Sequence, residues 1–142
     1  VAGAGSDPTT GSPPGYSPAI LSRLCNSVIA VESDAGLAER ATANLLSLDY
    51  DNAAVVNGPL ELGYASEGPY DAIFVGGAVE VTPETLGQQL KDGGRMVVVE
   101  GTGNAGVARL YVREGDIVSG RTTFNCAVKP LPGFEAKPEF VF

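Results

Sequence analysis

The run SVIAVE, Ser27 to Glu32, is apolar without interruption up to its closing acid. The stretch behind it, Leu37 to Leu48, sets Leu37, Ala38, Ala41, Leu45 and Leu48 on one helical stripe. A strand with no polar alternation is covered on both faces, which is the mark of parallel sheets whose crossovers are helices. The pattern recurs along the chain. Ala53 to Asn57 reads as a second strand, Tyr70 to Gly76 as a third and Arg95 to Glu100 as a fourth. A helix over Pro83 to Leu90 is expected between the last two, with Thr82 as its cap and Pro83 as its first residue. Lys91 to Gly94 stops that helix with glycines free to take positive φ. Upstream, Ala19, Ile20, Leu21 and Leu24 recur at helical spacing, so a short helix is expected over Tyr16 to Leu24 with Ser17 and Pro18 at its start. Downstream, Val107 to Arg113 and a strand around Thr122 to Val128 flank the turn Glu114 to Asp116 and form a closing antiparallel hairpin. The Pro- and aromatic-rich tail from Pro130 is expected to lie across the surface. Together these elements predict an α/β domain with a doubly wound, mostly parallel sheet, helices on both faces, and ligands bound at the carboxyl ends of the strands.

Several functions are excluded. The chain has no histidine, which removes Ser–His and Cys–His nucleophile pairs, imidazole proton shuttles and most zinc or iron sites; no metal site is expected. Nine Lys plus Arg against 17 Asp plus Glu give a net charge of -8, the wrong sign for neutralising phosphates, so nucleic acid is not an expected partner. No apolar run approaches the roughly 20 residues of a membrane helix, and no basic, hydrophobic targeting segment opens the sequence; a soluble, cytoplasmic protein is expected. Cys25 and Cys126 stand far apart with no CxxC spacing and are expected to be small core side chains. Residues 1–142 suit a single domain. Acids such as Glu61, Glu67, Glu80 and Glu84 read as solvated faces, and Tyr16, Tyr64 and Phe134 as packing anchors that could border a peptide groove.

The candidate chemistry lies in the loops after strands. Gly3, Ala4 and Gly5 form a GxG, and Glu32 closes the next strand, where an acid can accept hydrogen bonds from both hydroxyls of a ribose. The arrangement suits an adenosine-type cofactor, and a plain turn explains the glycines equally well. The third glycine of GxGxxG is absent at Pro8. Asn57 with Gly58, Gly76 with Gly77 and Gly93 with Gly94 place small residues at strand ends, where they serve either as tight turns or as room for a ligand.

VIAVESDAGLAERATANL, LDYDNAAVVNG, PYDAIFVGGAVEVTPETLGQQLKDGGRMVVV and LYVREG resemble the Rossmann-like S-adenosylmethionine-dependent methyltransferases. Within that class they are most similar to the protein-L-isoaspartate O-methyltransferase family. DAIFVGGAVEVTP, Asp71 to Pro83, is the segment most suggestive of the family, and LKDGGR, Leu90 to Arg95, is the one most specific to the class. The resemblance implies methyl transfer from S-adenosylmethionine to the carboxylate of L-isoaspartyl residues in damaged proteins or peptides. Gly3 and Gly5 would line the methionine part of the cofactor, Gly15 would complete the cofactor-binding glycine loop, Glu32 would hold the ribose, and Ser33, Asn57 and Gly58 would face the adenine. Gly76 would lie near the transferring methyl, with Gly77 and Ala78 on the substrate side. No catalytic residue is assigned, because an isoaspartyl carboxylate is already ionised at neutral pH and its attack needs no general base.

The sequence departs from the family pattern in three places. Pro59 stands where an acid usually follows the glycine, and Asp7 to Pro14 is inserted in the glycine loop. Only Val1 and Ala2 precede Gly3, so the first strand is missing and the domain is expected to be N-terminally incomplete, with a gap between the strands beginning at Ser27 and Tyr70. These departures motivate an alternative, a cofactor-binding or interaction module of the same fold without turnover. A nicotinamide-dependent oxidoreductase is a third reading, which GxG and Glu32 allow and LKDGGR disfavours.

Overall fold

The computed structural model describes residues 14–102 and 104–136. In chain order the elements are α1 (Tyr16–Ser22), β1 (Val28–Glu32), α2 (Ala35–Ser47), β2 (Ala53–Asn57), two 3-10 turns (Leu60–Leu62 and Ala65–Glu67), β3 (Tyr70–Val79), α3 (Glu84–Gln88), β4 (Leu90–Glu100), β5 (Val107–Glu114) and β6 (Ile117–Asn125). β1 and β2 pair in parallel from Val28 opposite Ala53 to Glu32 opposite Asn57. β3 and β4 are also parallel, and β4, β5 and β6 are antiparallel. The α/β class, the parallel pairing and the closing hairpin are thus as expected, while the strands form two ladders, β1-β2 and β3-β4-β5-β6. Between the ladders runs a groove of about 790 Å³ lined by Leu24, Val28, Ile29, Ala72, Phe74 and Val97. Below it the ladders share one core, in which Val31 of β1 joins Ile73, Val75, Leu86, Met96 and Val98.

Local chemistry sets the element ends. The Asp34 carboxylate caps α2 by accepting from the Leu37 amide at 2.8 Å, and Ala38, Ala41 and Leu45 form the buried stripe. Leu48, expected on that stripe, lies past the helix end and is 64% exposed. α1 is capped by Gly15, whose φ of 90° is left-handed, in place of Ser17; Pro18 is buried within its first turn. Leu24 falls beyond α1 and is 77% exposed. α3 is shorter than expected, with Pro83 as its cap, because the Thr82 hydroxyl donates to the Glu100 carboxylate instead. Lys91 to Gly94 belong to β4 and not to a separate turn. There the β3 register jumps from Tyr70–Leu90 to Ala72–Arg95, and Gly93 takes the expected positive φ of 76°.

Three further expectations are corrected. Cys25 is exposed and Cys126 half-buried, since Cys25 lies after α1 in a surface connection. The tail does not merely cross the surface: Phe134 is 3% exposed and belongs to the central core, and Pro130 bridges Ala78 in parallel. Tyr16 is exposed, so it is no packing anchor, whereas Tyr64 packs against the core.

Candidate functional site

Parallel, in-register pairing brings the ends of β1 and β2 to one edge. Glu32 is 5% exposed, and its Oε1 accepts from the Asp34 amide at 3.0 Å. Its backbone carbonyl accepts from the Gly58 amide at 3.0 Å and from Asn57 Nδ2 at 2.9 Å. Asn57 Nδ2 also donates to the Ser33 carbonyl at 3.2 Å. Four of the residues singled out in the sequence, Glu32, Ser33, Asn57 and Gly58, therefore form one hydrogen-bonded knot. A side chain at Gly58 would meet nothing within 4 Å, so the fold does not require glycine there.

Gly15 is buried, and a Cβ on it would stand 3.1 Å from the Ala41 carbonyl oxygen, which together with its positive φ demands glycine. Gly76, Gly77 and Ala78 lie near the carboxyl end of β3. Gly76 is exposed, whereas Gly77 is covered: a Cβ there would stand 2.5 Å from Leu131 Cγ and 2.9 Å from the Lys129 carbonyl oxygen. The Ala78 amide donates to the Lys129 carbonyl and its carbonyl accepts from the Leu131 amide, both at 2.8 Å. Gly3 and Gly5 lie outside the described residues. The structure thus places the remaining candidates in two sets, the β1–β2 knot and the end of β3, with Gly15 at the start of α1.

Two features escaped the sequence reading. One is the closing segment Lys129 to Phe134, which straps over β3; its Phe134 carbonyl accepts from the Glu80 and Val81 amides at 3.2 and 3.3 Å. The other is Glu100, which ends β4 as Glu32 ends β1, an acid after an apolar run that the sequence did contain. Its carboxylate accepts from the hydroxyls of Thr82 and Tyr111 and pairs with Arg109 Nη1 at 3.2 Å.

Burial, then the hydrogen bond to Glu100, raises the Tyr111 phenol above its ordinary 10.0. Burial, then the charge of Glu67, does the same for Tyr70. Stability from a raised phenol is fully present below the unfolded value and lost as pH rises through the folded one. Ultraviolet titration should therefore show two phenols ionising above 10.0 in the folded protein and near 10.0 in urea, with Tyr111→Phe removing one of them. A folded titration without delayed phenols contradicts this expectation.

Parallel strands joined by helices, with an acid and small residues knotted at the carboxyl edge, define a Rossmann-like α/β domain. The chain belongs to the protein-L-isoaspartate(D-aspartate) O-methyltransferase family, whose profile matches residues 9–135. It is 36% identical over 123 residues to protein-L-isoaspartate O-methyltransferase of Hahella chejuensis (strain KCTC 2396), covering 87% of this chain and 58% of that protein. It is 40% identical over 107 residues to the Vibrio parahaemolyticus (serotype O3:K6, strain RIMD 2210633) protein of the same name, covering 75% and 50%. A solved protein-L-isoaspartate O-methyltransferase superposes with a TM-score of 0.79 at 29% identity, over 93% of this chain and 41% of that one. The fold is shared by a putative Plasmodium falciparum protein-L-isoaspartate O-methyltransferase solved with S-adenosyl-L-homocysteine, with a TM-score of 0.63, 20% identity and coverage of 74% and 52%. The chain spans about half the length of the relatives it matches.

Proposed function

We propose that this chain carries the S-adenosylmethionine site of a methyltransferase acting on the side-chain carboxylate of L-isoaspartyl residues in damaged proteins. Family membership supports the reaction class, and the observation that carries the site is the Glu32 knot. Glu32 fits a ribose: its carboxylate is held at a strand end, and among the described residues only the Asp34 amide donates to it, which leaves acceptor capacity for two sugar hydroxyls. Exposed Ser33 and Asn57, with Gly58 opening space beside them, suit the adenine edge. Gly3 and Gly5 are assigned to the methionine part, Gly15 to the cofactor-binding glycine loop and Gly76 to the neighbourhood of the methyl. Gly77 and Ala78 serve the substrate side through the strap seated on them.

When bound, the cofactor supplies a methyl group made electrophilic by its sulfonium. The chain's own residues hold and align. The isoaspartyl carboxylate is a nucleophile at neutral pH without help from a base, so a protein without histidine can bring oxygen and methyl into line and exclude water. A cytoplasmic setting, away from nucleic acid and membranes, fits the net charge of -8 and the two free cysteines; no helix among the described residues is long and apolar enough to cross a membrane.

Incubation with methyl-labelled S-adenosylmethionine tests the reading. An isoaspartyl peptide should become a base-labile ester, while its aspartyl isomer stays unlabelled. Equal labelling of both, or none with intact cofactor binding, would sink it.

A further inference from the structure

Resting on that functional reading, we propose that Glu100 is a positioning residue which fixes the β3–α3 loop, Glu80 to Pro83, as the wall of the peptide-substrate side. The loop directly follows Gly76 to Val79 and is held from two directions. On one flank the strap takes its backbone: Phe134 accepts from the Glu80 and Val81 amides, and the Ala136 amide donates to Glu80 Oε2 at 2.8 Å. On the other flank Glu100 takes its side chain, since Thr82 donates to the same Oε1 that Tyr111 holds from β5.

Glu100 is itself anchored. Its Oε2 pairs with Arg109, and the next amide, Gly101, donates to the Val79 carbonyl at 3.0 Å, so backbone and side chain both tie β4 to the end of β3. With its side chain one-fifth exposed, the carboxylate is compensated by three donors and does not present bare negative charge to an anionic substrate. Beneath the loop, a groove of about 260 Å³ opens between α3 and β5–β6, with Thr82, Pro83 and Tyr111 at its lining. A loop fixed in advance need not be ordered when a peptide arrives, so the effect of Glu100 belongs to substrate binding rather than to the chemical step.

Peptide kinetics and amide hydrogen exchange on the full chain test this. Glu100→Ala should raise the peptide KM about tenfold with kcat changed less than about twofold, the signature of lost uniform binding. The Val81 and Thr82 amides should exchange faster while those of β4 and β5 keep their protection. Glu100→Gln, which retains an acceptor for Thr82 and Tyr111, should return KM to within about threefold of wild type. Thr82→Val, which spares the Arg109–Glu100–Tyr111 contacts, should raise KM and loop exchange in the same direction, should E100A fail to fold. A purely structural role would instead lower kcat through loss of folded enzyme and leave KM alone, which overturns the proposal, as does unchanged loop exchange in both variants. A wild-type chain that transfers no methyl ends the functional reading, and the substrate role of Glu100 with it. A wild-type chain that turns over, with KM unmoved in T82V and E100A, ends the positioning role alone.

Discussion

Glu32→Ala should weaken adenosylhomocysteine binding by about 100-fold or more. Two hydroxyl-to-carboxylate hydrogen bonds at about 1.5 kcal/mol each, the low end for charged partners, give about 3 kcal/mol, and each 1.4 kcal/mol is roughly tenfold in Kd. The variant also removes the acceptor of the Asp34 amide at the head of α2, so a stability loss of about 1 kcal/mol accompanies it. Glu32→Gln separates the two effects. It keeps a neutral oxygen for the amide and one weaker acceptor for the sugar, so stability should return while affinity stays about tenfold down. Isothermal calorimetry reads both variants. Unaltered affinity in Glu32→Ala would move the ribose elsewhere and take the assignments of Ser33, Asn57 and Gly58 with it, because those residues are bound to Glu32 through its backbone.

Phe134→Ala should cost about 3 to 5 kcal/mol of folding stability, the usual range for emptying a buried phenylalanine site. Phe134 packs in the same cluster as Val79 and Leu86. Against a total of about 5 to 15 kcal/mol, that is a large share of what holds a domain together. A thermal midpoint lower by roughly 10 °C is expected in scanning calorimetry. Phe124→Ala is the control: Phe124 is 63% exposed on β6, so its loss should change stability by less than about 0.5 kcal/mol. Equal effects from the two would mean that the closing segment is not seated as described. Unseating Phe134 also frees the carbonyl that holds the Glu80 and Val81 amides and loosens the cover over Gly77, so damage to the proposed substrate side should exceed damage to the proposed cofactor site.

The placement of the β1–β2 half of the candidate site was legible in the sequence because its cues are local. An apolar run ending in Glu32 and another ending in Asn57 fix two strand ends, and parallel pairing then sets those ends side by side without further information. Gly58 shares that placement by following directly. The end of β3 was half legible. Glycines mark Gly76 and Gly77, but only tertiary structure shows that Leu131 fills the space beside Gly77, from a segment far along the chain. Thr82 reads as a helix cap from its neighbours, and Glu100, distant in sequence, outcompetes that role. Leu24 and Leu48 match a helical stripe by spacing, yet each falls just past its helix end, where periodicity no longer dictates burial. Ser17 loses the cap of α1 to Gly15 because the left-handed entry, packed on Ala41, is open only to glycine.

The hydrogen bond from Ala136 to Glu80 joins positions 56 apart in sequence, and the Phe134 carbonyl reaches back to the same turn. Contacts of such long range form late, since the intervening chain must be folded before they repay its ordering. During synthesis on the ribosome, β3 through β6 can assemble before residues 129–136 have left the exit tunnel to close over the end of β3. A nascent chain short of Phe134 can therefore pair β1 with β2 before the turn at Glu80 and Val81 has its backbone acceptor.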